Sequence, residues 1–397
     1  MSESQTPLPS RAWEVFLAFL VQGFTAFGGP VAHVGYFRRA FVERRAWLSE
    51  EAFADLLAMS QFLPGPASSE LGMAIGMRRA GYPGLLAAWL GFTLPAGAAM
   101  IALAYLTPRY PNPFGIGVLH GLQVAAAAVV LQAVVVMART LAVGPIKAGM
   151  AIGAATGLVV AHGPLAQVVT LAAGAVIGLI LLREPAPEAG DDPVSEALSP
   201  TPAIVALCLF AVLLGLLPFL AALTQDPDIG LASVLYRTGA LVFGGGHAVL
   251  PLLQNEIVNR GWIGQEQFLA GYGAVQALPG PLFSFAGFVG AETGGWRSGL
   301  VALAAIFLPG LLLVAGVLPF WDRLKGQPAA RAAVGGVNAV VVGVLAAALW
   351  NPVLTETVRK PTDWALVAAA YVFLAVAKLP PWLVVAGFAL AAGLLRR

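Results

Sequence analysis

The heptapeptide "QFLPGPA" at Gln61–Ala67 returns as "QALPGPL" at Gln276–Leu282, 215 residues downstream. Proline inside a helix removes a backbone hydrogen bond and clashes with the preceding turn, so Pro-Gly-Pro marks a point where an apolar helix cannot continue. Sliding the sequence against itself by 215 or 216 positions shows that the two breaks are equivalent parts of a duplicated unit. Phe27, Gly28 and Gly29 fall on Phe243, Gly244 and Gly245, and Trp47, Glu51 and Phe53 on Trp262, Glu266 and Phe268. Ser69, Gly72, Gly84 and Phe92 fall on Ser284, Gly287, Gly299 and Phe307, and Pro145 and Pro164 on Pro361 and Pro380. The repeated units are residues 11–183 and 227–397.

The chain around the breaks is a membrane chain. Of its 397 residues 59% are hydrophobic and 11% charged, far from the balance of soluble domains. Continuously apolar runs of about spanning length, some shorter, recur at Leu85–Leu106, Val118–Met137, Ala203–Leu223, Leu300–Leu318, Val337–Leu349 and Trp364–Ala377. Such runs predict an all-α polytopic bundle; a β-barrel would show alternation instead. No cleavable signal peptide is evident in "MSESQTPLPSRAWEVF". The single cysteine, Cys208, excludes an intrachain disulfide or a cysteine metal cluster and reads as packing. The net charge of +2 and arginines placed in short connections point to a lipid bilayer as partner and not to nucleic acid.

A Pro-rich acidic stretch, residues 184–202, reads as a solvated linker, and the apolar run 203–223 after it has no counterpart in either unit. An extra span of this kind suits two fused units lying in opposite orientations. The bases agree. Arg38, Arg39, Arg44, Arg45, Arg78 and Arg79 precede the long span of the first unit and Arg109 follows it, whereas Arg260 and Arg297 precede that of the second and Arg323, Lys325 and Arg331 follow. Span counting conflicts with this: five or seven crossings per unit, according to whether "LPGP" closes a re-entrant hairpin, would make the units parallel. Inversion requires an even number, with one short segment that does not cross.

The segments flanking each "LPGP" are about half a membrane long when helical, so they read as arms of a broken helix. Pro64 and Pro279 end the first arm, and Pro66 and Pro281 start the second. A helix start inside the membrane offers unpaired N–H groups and a favourable dipole to an anion. Gly65, Gly280, the hydroxyls of Ser68, Ser69 and Ser284, and the retained Gln61 and Gln276 are therefore substrate-binding candidates. The glycine runs "FGGP" (with Gly28, Gly29) and "FGGG" (Gly244, Gly245, Gly246) end each unit's first helix and serve either a ligand or close helix packing. A surface loop between short helices is the plainer reading of Pro-Gly-Pro; repetition at matching positions favours a central site.

Glu70 aligns with Phe285 and Asp55 with Ala270, so a carboxylate at break depth occurs only in the first unit. Glu70 is a candidate for proton coupling, or for a gate paired with Arg78 or Arg79, against plain capping of a first turn. Asp55, beside Glu50 and Glu51, reads as lying on a wet face. His33 and His247 each follow a glycine run and are candidates for a supporting role near neutral pH. No histidine pair has metal-ligand spacing and no P-loop is present, so neither metal, cofactor nor enzymatic activity is expected, and a secondary carrier is the natural class.

"FTAFGGP" (Phe24–Pro30), "RRAWLSEEAFADLLAMSQFLPGPASSELGMAIG" (Arg44–Gly76) and "ALVFGGGHAVLPLLQNEIVNRGWIGQEQFLAGYGAVQALPGP" (Ala240–Pro281) resemble the chromate ion transporter family in its long, two-unit form. The resemblance covers nearly the whole chain. It implies a multi-pass carrier of the bacterial inner membrane that exports chromate, a tetrahedral dianion close in shape to sulfate, using the membrane potential or a proton gradient. It implies oppositely oriented halves, and functional weight on Gly28, Gly29, Pro64, Gly65, Pro66, Gly244, Gly245, Gly246, Pro279, Gly280 and Pro281. Pro30 where the second unit has Gly246, and the missing carboxylates of the second unit, leave open whether both units bind alike. Sulfate or another oxyanion remains the alternative substrate, a membrane scaffold the alternative class, and a homodimer stays open.

Overall fold

A computed structural model describes residues 8–106, 113–161, 164–183, 200–243 and 246–395, all helices and connections. In the first unit these are α1 Leu8–Thr25, α2 Gly29–Phe37 with a π-helical turn Arg38–Arg44, α3 Glu50–Phe62, α4 Ala67–Leu106, α5 Pro113–Leu141, α6 Pro145–Val160 and α7 Pro164–Leu181. The connector is α8, Pro200–Thr224. The second unit holds α9 Pro227–Leu241, α10 Val249–Ile257, α11 Gln265–Val275, α12 Phe285–Val317, α13 Trp321–Leu324, α14 Pro328–Ala348, α15 Thr355–Thr357, α16 Pro361–Ala375 and α17 Pro381–Leu395. Proline opens many of these helices, where its missing N–H costs nothing. Ser49 caps α3 through the Ala52 N–H (3.2 Å), and Asp226 caps α9 through Asp228 and Ile229.

α4 and α12 are each two helices folded back on themselves. Helical geometry fails at Ala80 and Gly81 in one and at Gly294 and Gly295 in the other, with Gly81 (φ +65°) and Gly295 (φ +80°) in the left-handed region. The arms then pack backbone to backbone. A Cβ on Gly76 would strike the Gly84 carbonyl and come within 2.7 Å of the Ala88 Cβ, and one on Gly290 would meet Ser298 and Ala302. The short arm after each Pro-Gly-Pro therefore returns to the face it came from, and only the long arm crosses.

The long arms of α4 and α12 are equivalent in the repeat yet run antiparallel. The Tyr105 hydroxyl accepts from the Trp296 N–H at 2.7 Å, Gly97 faces Leu303, and Trp89 meets Phe307 with ring centroids 6.3 Å apart. Antiparallel equivalents require a pseudo-two-fold axis in the membrane plane, so the units are inverted. The equivalent residues Phe92 and Phe307 come level near that axis, which puts them at mid-depth.

The span count resolves in the same geometry. α1 stops at Ala26, whose carbonyl is bonded to Gly280, itself against the Phe92 backbone. From there α2 runs back along α1, with Phe37 and Phe41 on Phe19 at 5.4 and 4.7 Å. α1 and α2 thus form a re-entrant hairpin, as do α3 and the short arm of α4. Among the described residues five helical stretches are long and apolar enough to cross, and four shorter apolar helices accompany them: α6, α7, α16 and α17. Each unit then contributes an even number of crossings (long arm, α5 or α14, and a C-terminal pair), and α8 inverts the second. Five or seven per unit is corrected.

The C-terminal pairs are exchanged between units. α6 and α7 pack on α14, and α16 and α17 on α5. Glycines let the backbones touch: Gly117 and Gly121 of α5 against α17, Gly174 and Gly178 of α7 against α14. His120 meets Asp363 at 3.1 Å and Gln132 the Leu374 carbonyl at 3.4 Å, so α16 accompanies α5 for much of its depth. α8 lies outside, with Ile204 and Phe219 exposed toward lipid. Cys208 is exposed there too, so the packing role expected for it does not hold.

Candidate functional site

Each Pro-Gly-Pro turn sits on the tip of the other unit's first hairpin. The Gly65 N–H donates to the Val242 carbonyl at 2.7 Å, and the Gly280 N–H to the Ala26 carbonyl at 3.0 Å. Ala26 and Val242 are themselves equivalent in the repeat. Gly65 (φ +144°) and Gly280 (φ +102°) hold backbone conformations that side chains rarely adopt. Four hairpin tips therefore meet at mid-depth, two from each face. Irregular backbone at that depth is tolerated only where protein or a ligand covers it.

At the first break, α4 begins after Pro66, with the Ser69 and Glu70 N–H groups bonded to the Pro66 carbonyl at 2.7 and 3.0 Å. Ser68, Ser69 and Glu70 are all buried. His33 of α2 reaches this turn. Its Nε2 donates to the Ala26 carbonyl at 3.1 Å, an acceptor only, which leaves Nδ1 to accept from the Ser68 hydroxyl at 3.1 Å in the neutral ring. The Ala26 carbonyl thus gathers the second unit's break and the first unit's histidine on one oxygen.

The Glu70 side chain folds back under its own break. A Cβ on Gly65 would overlap its Oε1 and lie 2.9 Å from its Cδ, and a Cβ on Gly310 of α12 would lie 3.0 Å from Oε1. Glu70 is 0% exposed and neither carboxyl oxygen has a protein hydrogen-bond partner. An ionised carboxylate left so costs several kcal/mol, about the price of an unpaired buried charge, unless something joins it.

At the second break a short 3-10 turn, Leu282–Ser284, replaces the first turn of the helix. Phe285, the equivalent of Glu70, packs against Phe268 and Tyr272. The Ser284 hydroxyl is 0% exposed and unpartnered, and the Gln276 amide nitrogen, across the break, is also buried and unpartnered. His247 bonds the Tyr272 hydroxyl at 2.8 Å, behind Phe285.

Other candidates lie elsewhere. Gln61 is exposed. Arg78 is exposed near the α4 bend, while Arg79 pairs with Glu14 at 3.2 Å and stacks on Trp47 at 5.3 Å. Neither arginine is the partner of Glu70, because the short arm carries them a half-membrane away from it; that pairing is corrected. Gly28 and Gly29 form the tip of the first hairpin, and nothing stands within 4 Å of a Cβ on Gly29. Gly244 and Gly245 lie outside the described residues, and Gly246 opens the 3-10 turn before α10.

Two charge clusters were not foreseen as functional. Asp55 is not on a wet face: its carboxylate holds the Lys325 amine at 2.8 Å, which also meets Asp322 at 3.0 Å, and the cluster ties α3 to the end of the opposite unit's crossing arm. Burial pulls the Lys325 amine down, but hydrogen bonds to Asp55 and Asp322 outweigh it and hold its pKa above the ordinary lysine range. In the second unit, buried Glu256 bridges Arg237 (2.5 Å) and Arg260 (2.8 Å) beside a cavity of about 620 Å³. A lone arginine in the apolar run around Tyr236 was the available signal for that cluster.

A family model described as "Chromate transporter" matches residues 13–179 and again 229–394. The chain is 34% identical over 360 residues to the chromate transport protein of Pseudomonas aeruginosa, covering 86% of this chain and 81% of that protein. It is 27% identical to the chromate transport protein of Cupriavidus metallidurans (95% and 91% covered) and 26% identical to the probable chromate transport protein of Synechococcus elongatus (83% and 82%). No solved structure matches the chain. With both inverted units matched over nearly their full length, this chain belongs to the chromate transporter family.

Proposed function

We propose that this protein is a secondary carrier of the bacterial inner membrane that exports chromate from the cytoplasm, holding the oxyanion at mid-depth between the two breaks. The observation that carries this reading is the convergence of both Pro-Gly-Pro turns on the pseudo-two-fold level, with buried polar groups there that no protein atom satisfies. A dianion at that depth needs several donors. The helix starts, the Ser69 and Ser284 hydroxyls and the Gln276 amide are the groups on hand, and the open backbone of Gly28 and Gly29 is a further contact.

Inversion supplies the route. The first unit's hairpins enter from the face carrying Arg38–Arg45, Arg78, Arg79, Arg323, Lys325 and Arg331, which is the cytoplasmic face by the positive-inside rule. The second unit's hairpins enter from the other face. Gly65–Val242 and Gly280–Ala26 each tie a hairpin of one face to a hairpin of the other, so drawing back one unit's hairpins opens the site to that unit's face while the other unit's hairpins keep the far side closed. The Asp55–Lys325 pair reinforces the cytoplasmic closure, and Glu70 is the coupling group.

Flux into proteoliposomes decides the matter. Chromate uptake that saturates, resists excess chloride and rises with an imposed pH gradient is the expected result. Sulfate moving as well as chromate would widen the substrate to oxyanions generally, and no flux of either would overturn the reading.

A further inference from the structure

We infer that the two breaks have divided the work: the second, at Ser284 and Gln276, takes the tetrahedral dianion, while the first, at Glu70, takes the proton that drives it. This rests on the carrier reading above and assigns its two ligands to separate halves.

Each break holds a buried, unpartnered serine hydroxyl, Ser69 at the first and Ser284 at the second, and beyond that shared donor the unsatisfied groups are of opposite kinds. At the second break the orphaned atoms are donors, a hydroxyl and an amide nitrogen, and the residue equivalent to Glu70 is Phe285. Donors without acceptors invite an anion. At the first break the orphaned atoms include two carboxyl oxygens, acceptors without donors, which invite a proton. The carboxyl also lies under the turn, against Gly65 and Gly310, in the space an anion would need at the start of α4. A second negative charge there would meet it head on.

The surroundings of Glu70 leave it free to exchange. α2 brings His33, committed to Ser68 and Ala26; α12 presents Gly310, and α1 presents Phe19 one turn further on. No fixed cation among the described residues neutralises the carboxyl, so its proton is the one charge there that can come and go. Transport then links a proton on one hairpin pair to an oxyanion on the other through the shared tips.

The test compares Glu70→Gln, Glu70→Asp, Ser284→Ala and Gln276→Ala in proteoliposomes, using chromate as probe with sulfate as competitor. Two assays are read: accumulation driven by a pH gradient, and tracer exchange with equal pH and chromate on both sides. Glu70→Gln should abolish gradient-driven accumulation and flatten the pH dependence of exchange without raising half-saturation, and Glu70→Asp should restore part of the accumulation. Ser284→Ala and Gln276→Ala should each raise half-saturation about tenfold, the worth of one charge-assisted hydrogen bond, and keep the response to the gradient. Accumulation that still follows the gradient in folded Glu70→Gln protein, a tenfold rise in its half-saturation, or unchanged half-saturation in both second-break variants would overturn the division. Parent protein that moves no oxyanion in either assay would instead overturn the carrier reading beneath it.

Discussion

Gly65→Ala separates backbone strain from side-chain collision at the first break. At φ +144° any side chain is strained by about 1–3 kcal/mol. The new methyl also overlaps the Glu70 carboxyl, with Cδ at 2.9 Å, and overpacking of that sort costs about 1–3 kcal/mol more. Only the second part depends on Glu70. In a double-mutant cycle with Glu70→Ala, the pair should recover about 1–3 kcal/mol relative to the sum of the singles, measured by chemical unfolding in mixed micelles. Gly280→Ala is the control: its methyl would lie 3.0 Å from the Ala96 Cβ and 3.3 Å from the Phe92 carbonyl, with no carboxyl in reach. Glu70→Ala should therefore bring it no relief. A Gly65→Ala protein as stable as the parent, or equal rescue at Gly280, would refute the placement of Glu70 under the turn.

With Cys208→Ser as background, single cysteines at Arg78 and Lys325 should label from the cytoplasmic side and those at Arg297 and Arg359 from the opposite side. Labelling of all four from one side would exclude inverted units. Lys325→Met strands the Asp55 carboxylate and should destabilise by about 1–3 kcal/mol, with Asp55→Asn in the same chain recovering most of it. Because the folded amine titrates above its ordinary value, the contribution of the parent pair is whole below about pH 10, is lost as pH climbs through the raised value, and should be missing from the pH–stability curve of the double variant. His33→Ala leaves Ser68 unpartnered and frees one bond on the Ala26 carbonyl, at a cost of about 1–3 kcal/mol; melting temperatures should fall, with His33→Asn milder.

The duplication, the helical class and the broken helices were legible because each leaves a local mark: paired prolines, aligned glycines, half-length arms. Depth was not. Nothing in "LVQGFTAFGGP" distinguishes a helix that crosses from one that turns at the middle, because that depends on Ala26 finding Gly280 across the molecule. Parity failed for this reason, while the arginine bias, which reports faces and not depth, pointed to inversion. Partners of charged groups were equally hidden. Arg79 stands close to Glu70 in sequence, yet the α4 hairpin sends them to different levels. Lys325 meets Asp55 from 270 residues away.

The exchange of α6–α7 and α16–α17 between units bears on how the protein is made. The first unit leaves the ribosome with α5 bare along the flank that α16 and α17 will cover, and with α6 and α7 holding nothing. α16 and α17 follow α5 by more than two hundred residues, so a nascent chain stays unclasped until they emerge and offers its glycine-lined flanks to any apolar helix nearby. Half of this chain is not half of a carrier. It is one side of a fastening, competent only once a counterpart of opposite orientation arrives, whether from the same polypeptide or from another.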